Sequence, residues 1–458
     1  MSEQARHRDK LYGNPTDADA VALIAPGFGS FASGVAVTFL TRLIILGCLL
    51  GSSVIVARWL GPEGTGALAV LNVTVALALQ LGSAGLPSAT TYFVARDRRQ
   101  LGSVWFNGIM FSFVVGSVLA ITVVALARLK PDLFNGVSSQ LITIVALSIP
   151  FQLLTLLGLN LLLALDQIKL MNSLDALSSL LLFVNAIVVL VMWRQDLTML
   201  VSFNTITGIS LSLLLIWFVA RISRVASRPN LSLLRMMLSY GLKFYVSIVA
   251  SFIILRADLL IVNRFRGAEA AGVYAVAAQM SFLLIMLPGV IASLLFPRVA
   301  SLQDETAEYA VEVTRHTSFV MLIVCAGAAA ASFALPAIYG ARFGEATMLL
   351  LIMLPGILFI SLESVLVQHF TGTGLPVIIP VFWLITMFTN IGLNLALIPR
   401  WGARAAAINS TISYALIFVL VTAYFCRRTG RNPLAVFSPR AREFLNIYAR
   451  LQRRPVAR

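Results

Sequence analysis

The chain has 458 residues and a formal net charge of +15, and 59% of its residues are hydrophobic whereas only 12% are charged. Soluble domains carry about 25% charged residues, so this composition excludes an ordinary water-soluble fold. The positive charge does not indicate a nucleic-acid partner, because the excess Lys and Arg lie in the tails and between apolar runs, as in membrane proteins with basic cytoplasmic loops. Three cysteines lie in or beside apolar runs and predict no disulfide framework.

Apolar runs of about 20 residues recur along the whole chain, and this is the length that crosses a hydrocarbon core roughly 30 Å thick. We therefore predict an all-α, polytopic membrane protein with twelve transmembrane helices in two pseudo-symmetric six-helix bundles. The predicted spans are 30–57, 67–94, 103–127, 140–163, 169–193, 197–220, 236–262, 271–297, 317–338, 346–368, 377–398 and 403–425.

Polar segments divide the spans into two sets of six. The predicted segments are a cytoplasmic N-terminal tail at 1–27, an N-terminal lobe at 28–221, a cytoplasmic linker at 222–235, a C-terminal lobe at 236–426 and a basic cytoplasmic tail at 427–458. Ser438 and Pro439 are suited to begin an amphipathic helix in the last of these. Lys and Arg in the tails favour both termini in the cytoplasm, whereas the short loops barely distinguish the two sides.

An internal repeat supports the division into two lobes. The stretch that begins at Arg58 shares a pattern with the stretch that begins at Arg264, and matching residues are 206 positions apart. The matched pairs are Arg58 and Arg264, Gly61 and Gly267, Glu63 and Glu269, Gly66 and Gly272, and Ala69 and Ala275. Because each lobe has an even number of spans, both lobes begin on the same side, as parallel repeats do, and a cleft is expected between them.

Charged residues inside the spans are the candidate substrate-binding residues, because a charge in a membrane usually faces a cavity or a partner. Arg42 lies near the middle of the first span and is predicted to line the cleft. Lys243 and Asp258 are within about 60° of each other around a helix, so they are predicted to face the cleft together. Arg256 lies about 200° from Asp258 around the helix. Three placements are therefore open for its side chain: against a neighbouring helix, at the membrane surface, or in the cleft. Glu363 is expected to balance a cation or to take up a proton.

Uncharged polar residues form stripes at helical spacing. The stripes are Asn72, Ser83 and Thr90 on the second span, Asn172, Asp175 and Ser179 on the fifth, and Thr386, Asn390 and Asn394 on the eleventh. Each stripe alone is typical of hydrogen bonding between helices. Together with the intramembrane charges, stripes in both lobes favour a hydrated central cavity.

Motifs of catalysis are not found. The chain has no phosphate-binding loop and no nucleophile elbow, and its three histidines lack the spacing of metal ligands. We therefore predict no catalytic residue, no metal site, no cofactor and no enzymatic activity. A membrane glycan polymerase or ligase would need a large external loop, and no predicted loop is long enough.

Three segments resemble the Wzx-type polysaccharide flippases of the multidrug/oligosaccharidyl-lipid/polysaccharide exporter superfamily. They are LGPEGTGALAV at 60–70, LRADLLIVNRFRGAEAAGVYAVA at 255–277 and LPGVIASLLFPRVA at 287–300. The resemblance implies that undecaprenyl-pyrophosphate-linked oligosaccharides are moved across the bacterial inner membrane by alternating access, for capsule, O-antigen or exopolysaccharide assembly. It implies membrane lipids as partners, and it allows H⁺ or Na⁺ as a coupling ion and glycan polymerase and chain-length proteins as further partners.

A drug/cation antiporter related to the MATE transporters is the alternative. Such a transporter needs acidic groups to dominate the cleft, whereas this chain supplies at least as many cations inside its spans. The antiporter and the flippase share one predicted architecture, so only the chemistry of the cavity can distinguish the two functions.

Overall fold

The computed structural model describes residues 28–223, 228–302, 307–373 and 376–437, without the side chains of 28–40, 223, 243–244, 290–302, 372–373 and 434–435. The predicted N-terminal tail and the amphipathic helix predicted to begin near Ser438 lie outside the described residues. All regular structure within these ranges is helical. The helices are α1 (Phe28–Gly82), α2 (Leu86–Arg96), α3 (Leu101–Leu129), α4 (Ser139–Ala146), α5 (Ile149–Ala164), α6 (Ile168–Ala186), α7 (Leu197–Ser223), α8 (Leu231–Leu302), α9 (Glu308–Ser332), α10 (Leu335–Tyr339), α11 (Gly344–Thr373), α12 (Ile378–Trp401), α13 (Ala403–Thr429) and α14 (Pro433–Phe437).

Two of these helices are too long to be single membrane spans. Helix α1 has 55 residues and α8 has 72 residues, whereas about 20 residues cross a membrane. The first is broken at Gly61 (φ 66°, ψ −171°) and the second at Gly267 (φ 80°, ψ 176°), in conformations that glycine adopts far more readily than other residues. Ten helices in the described part of the chain are long and apolar enough to cross a membrane, and these two breaks bring the number of spans to the predicted twelve.

Two predicted spans are interrupted. The second, 67–94, is divided by a turn in which Ala84 and Gly85 have positive φ, so that α2 begins anew at Leu86. The fourth, predicted at 140–163, is divided into α4 and α5, and Pro150 lies in the first turn of α5. Proline lacks the N–H that would continue the preceding helix but suits the first turn of a new one.

The ninth span is displaced from its predicted position. It was expected at 317–338, but α9 begins at Glu308 and ends at Ser332, and the short helix α10 follows. Pro336 lies in the first turn of α10, so the chain restarts there for the same reason as at α5.

The helices form two lobes, α1–α7 and α8–α13, that meet along α1 and α8, the most extensive helix–helix contact in the described residues. The first turns of α8 nevertheless pack on the N-terminal lobe, where Leu233 and Met237 are buried in the same apolar cluster as Trp105. The buried side chain of Asn107 on α3 reinforces this contact. Its amide donates to the carbonyl oxygen of Asn230 over 2.8 Å and its oxygen accepts from the Asn230 N–H over 3.1 Å. The helix that opens the C-terminal half is therefore anchored on both lobes.

Candidate functional site

A cavity of about 450 Å³ lies inside the N-terminal lobe, and we call it the N-terminal cavity. Its size falls within the range of about 300–1,000 Å³ that is usual for small-molecule sites. Segments of α1 and α4–α7 line it, and its polar lining residues are Asn72, Ser148, Gln152, Thr155, Asp175, Ser178, Asn204, Thr205 and Thr207. A second space of about 250 Å³ shares Leu68, Asn72, Leu182 and Asn204 with it and reaches Gln279 of α8 in the other lobe.

Several polar groups of the N-terminal cavity are available to a ligand. The Asn72 side chain is exposed and makes no hydrogen bond within the described residues, and the same absence of a hydrogen bond holds for the hydroxyls of Ser178 and Thr205. The Gln152 amide donates to Ser148 over 2.7 Å, and its oxygen stays available. Asn204 accepts from Asn185 over 3.1 Å and keeps its own N–H groups for a ligand. These groups are both donors and acceptors, as sugar hydroxyls require.

The one charged residue among the described lining residues, Asp175, pairs with Arg42. The Nη1 atom of Arg42 lies 4.0 Å from Oδ2 of Asp175, and the two side chains are 50% and 31% exposed, respectively. Arg42 is not part of the lining itself, so its guanidinium lies at the edge of the N-terminal cavity, and Asp175 faces the interior. The pair is electrically neutral, and its separation and exposure allow a ligand to compete for either partner.

The other four predicted site residues lie elsewhere or are not described. The side chain of Lys243 lies outside the described residues. Arg256 is in the C-terminal lobe, where its guanidinium carbon lies 4.2 Å from the centre of the Phe282 ring. Asp258 and Glu363 are 3% and 2% exposed, and the Glu363 Oε1 atom has no hydrogen-bond partner among the described residues. Neither carboxylate borders the N-terminal cavity.

Asp258 is held by a hydrogen-bonded cluster inside the C-terminal lobe. Its carboxylate accepts from the hydroxyl of Tyr274, from Ser410 Oγ over 3.1 Å and from the Leu259 N–H over 2.8 Å. The bond to Tyr274 joins the two halves of α8 across the break at Gly267. All of these partners belong to the C-terminal lobe, and Arg42 is paired with Asp175 instead.

The two lobes contain a similar polar contact at nearly corresponding positions. In the N-terminal lobe the Asn185 amide donates to Thr207 over 2.9 Å, and in the C-terminal lobe Asn390 donates to Ser413 over 2.9 Å. Asn185 and Asn390 are 205 positions apart, and Thr207 and Ser413 are 206 apart, so one partner is displaced by one residue from the 206-residue repeat. Of the polar stripe on the eleventh span, Asn390 therefore bonds to a neighbouring helix, whereas the side chains of Thr386 and Asn394 donate within α12.

The lobes differ at other positions of the repeat. Leu68 and Ser52 border the cavity space of the N-terminal lobe, and the residues 206 positions later are Tyr274 and Asp258. Tyr274 is fully buried and is hydrogen-bonded to Asp258. A large aromatic ring and a bonded carboxylate thus occupy, in the C-terminal lobe, the positions that face open space in the N-terminal lobe.

Most polar residues of the cavity lining are not among the residues predicted from intramembrane charge. Gln152, Thr155, Asn204, Thr205 and Thr207 are uncharged, and they lie within spans four and six. Their signal in the sequence is weak but present, because Gln152 and Thr155 are three residues apart and the run from Asn204 to Thr207 contains three polar residues in an apolar span. The predicted stripes contributed Asn72 and Asp175 to the lining.

Solved structures with the same architecture identify the fold. The inward closed conformation of the lipid II flippase MurJ aligns with a TM-score of 0.72 at 15% identity, covering 91% of this chain and 90% of that one. The inward-facing conformation of a multidrug resistance MATE family transporter of the MOP superfamily aligns with a TM-score of 0.69 at 15% identity, covering 86% and 98%. The chain therefore has the two-lobed, twelve-span fold of that superfamily.

A family model described as "Polysaccharide biosynthesis protein" matches residues 55–348. The chain belongs to this family of polysaccharide biosynthesis proteins, which confirms the resemblance drawn from its sequence segments.

Two curated relatives come from Haloferax volcanii. The probable low-salt glycan biosynthesis flippase Agl15 is 21% identical over 216 residues, which are 46% of this chain and 46% of the relative. The probable flippase AglR is 29% identical over 171 residues, which are 36% of each. The chain thus spans less than half the length of the curated relatives it matches. Both relatives are described as flippases, in agreement with the expectation of a transporter rather than an enzyme.

Proposed function

We propose that this protein is a flippase that moves lipid-linked oligosaccharides, carried on undecaprenyl pyrophosphate, across the bacterial inner membrane. The observation that carries the proposal is the N-terminal cavity. It presents free amides and hydroxyls inside an apolar lobe, with Arg42 at its edge. These polar groups can bind the hydroxyls of a carbohydrate head group.

The energetics of the bilayer explain why a glycan needs this cavity. Burying an unpaired hydroxyl or amide in an apolar medium costs several kcal/mol, and an oligosaccharide carries many hydroxyls. The amides of Asn72 and Asn204 can replace the water lost by those hydroxyls. The isoprenoid tail needs no such compensation and stays in the lipid while the head group crosses.

Arg42 is the proposed partner of the pyrophosphate. Its guanidinium is half exposed and lies 4.0 Å from the Asp175 carboxylate, a long ion pair that a phosphate can displace with charge-assisted hydrogen bonds. An inside-negative potential then favours outward movement of the anionic head group by about 2.3 kcal/mol per charge per 100 mV. We also propose that movement of H⁺ or Na⁺ is coupled to this step. Gradients of either ion imposed across proteoliposomes would test the coupling.

The glycan function is tested by deleting the gene in its host and analysing lipid-linked intermediates by mass spectrometry. Loss of a flippase leaves complete repeat units on the carrier lipid, accessible from the cytoplasmic leaflet. Unchanged intermediates together with lost drug resistance would instead establish the antiporter alternative. In the deletion strain, the Arg42→Ala variant is expected to insert into the membrane normally but to restore no export. The control variant is Arg128→Ala, at an exposed arginine away from the N-terminal cavity, and it is expected to restore export.

We further propose that both tails lie in the cytoplasm and that the two lobes alternate access to the membrane sides. Reporter fusions to either terminus, with one reporter active only in the cytoplasm and one active only outside it, test the orientation. Active external reporters at both ends would reverse the topology. That result would not test the glycan function, which the analysis of lipid-linked intermediates tests separately.

A further inference from the structure

The polar lining of the N-terminal cavity carries a single charge. Apart from Asp175, its described lining residues are apolar, amide or hydroxyl side chains, and no Lys, Arg or His is among them. The adjoining space that reaches α8 is lined by uncharged residues throughout its described part. Within its described lining the interior therefore holds a carboxylate and no cation, and Arg42, which pairs with that carboxylate, lies at the edge.

This distribution of charge favours the binding of neutral sugars over acidic sugars. A hexose or an acetamido sugar presents hydroxyl and amide groups, which the amides of Asn72, Gln152 and Asn204 can bind. A uronic acid adds a carboxylate that would lie near Asp175 without a cation to pair with it. A charge taken out of water without a partner is strongly disfavoured, and a like charge nearby adds repulsion.

Arg42 does not remove this difference between sugars. It already neutralises Asp175 in the structure, and in the proposed function it is taken by the pyrophosphate. A sugar carboxylate deeper in the N-terminal cavity would then face Asp175 while Arg42 is engaged with the phosphate.

We infer that the N-terminal cavity selects uncharged sugars, with Asp175 as the residue that excludes acidic ones. This inference rests on the proposed function and adds the chemical class of the sugar that enters the lobe. Asp175 touches the sugar in this arrangement and sets specificity through its charge.

The test compares two lipid-linked sugars that differ only at one carbon. The purified full-length chain is reconstituted in liposomes with undecaprenyl-pyrophosphoryl-glucose or undecaprenyl-pyrophosphoryl-glucuronate. Periodate does not cross the bilayer but oxidises the diols of both sugars, so the rate at which protected lipid becomes reactive measures flipping. We expect glucose to be flipped at least about tenfold faster, because like charges a few ångströms apart repel strongly in a partly buried site.

The variant that tests the residue is Asp175→Asn, with Asp175→Ser as a second variant should the first fold poorly. Either change removes the carboxylate and leaves Arg42 unpaired, so the ratio of the two rates is expected to fall toward one. The matched control is Asp166→Asn. Asp166 is exposed, pairs with Arg98 over 3.0 Å outside the cavity and has a φ of 58°, which asparagine tolerates. The control should keep the wild-type ratio.

The outcomes separate this inference from the function on which it rests. Equal rates for the two lipids, or faster glucuronate, would overturn the selectivity while leaving the flippase intact. A wild-type preference that persists in both Asp175 variants would remove Asp175 as its cause. Rates no higher than those of protein-free liposomes for both lipids would reject the proposed function itself.

Discussion

Gly66 on α1 and Gly272 on α8 lie against each other where the two lobes meet. A Cβ atom on Gly66 would overlap the carbonyl oxygen of Ala268, and one on Gly272 would overlap that of Pro62. The four residues form two pairs separated by 206 positions, so each lobe presents the same small surface to the other, as in a contact with two-fold symmetry. Small residues four apart allow helix backbones to approach this closely.

Replacing either glycine should force the lobes apart at this point. We expect Gly66→Ala and Gly272→Ala each to lower the free energy of unfolding by about 1–3 kcal/mol, the usual cost of overpacking. Flipping should slow in the same variants. Thermal unfolding in detergent and the liposome assay measure the two effects. Gly47→Ala on the same helix is the control, because no atom lies within 4 Å of its added Cβ, and a loss of stability there would contradict the explanation.

Leu68 offers a way to close the N-terminal cavity without adding charge. Its repeat equivalent is Tyr274, which fills the corresponding position in the C-terminal lobe. We expect Leu68→Tyr to abolish flipping while the protein still inserts, because the ring would occupy space that both cavity regions share. Leu68→Met conserves volume and should keep most of the activity. Flipping by Leu68→Tyr at the wild-type rate would place the glycan outside this cavity.

Asp258 was predicted as a substrate-binding residue, and its hydrogen bonds suggest a structural role that can be tested directly. Asp258→Ala would remove the carboxylate acceptor of the buried hydroxyls of Tyr274 and Ser410, which lie 3.4 Å from each other, and we expect it to cost about 1–3 kcal/mol. Asp258→Asn retains an acceptor oxygen and should lose less. Thermal unfolding measures the stability of the wild type and of the two variants, and we expect it to decrease from wild type to Asp258→Asn to Asp258→Ala. An Asp258→Asn protein of normal stability that no longer flips would instead support the original assignment to the transport site.

Gly267 tests the backbone requirement of the turn between the seventh and eighth spans. Its φ of 80° is unfavourable for a side chain, although nothing lies within 4 Å of an added Cβ. Gly267→Ala should therefore destabilise the protein by about 1–3 kcal/mol through backbone strain alone. Gly392→Ala, in regular helix and equally free of neighbours, should be neutral or slightly stabilising. Similar stabilities for the two variants, measured by thermal unfolding, would show that the turn tolerates a side chain.

The amino-acid sequence by itself determined the number of spans, the repeat and the two short loops, 58–66 and 263–270, in which Gly61 and Gly267 lie. These properties are local, since hydropathy over about 20 residues identifies a span and the need for positive φ selects glycine. Breaks within predicted spans were harder to foresee, because a proline such as Pro150 either bends a helix or begins a new one.

Only the tertiary structure decided which polar residues face open space. The rotation of a helix about its axis follows from packing against its neighbours, and spans buried on all sides carry little periodic signal. Asp175 and Asp258 are both intramembrane carboxylates in the sequence, yet one borders a cavity and the other is enclosed by Tyr274 and Ser410. In the C-terminal lobe Tyr274 is buried against Asp258, whereas Leu68, 206 positions earlier, borders the cavity that Asp175 lines.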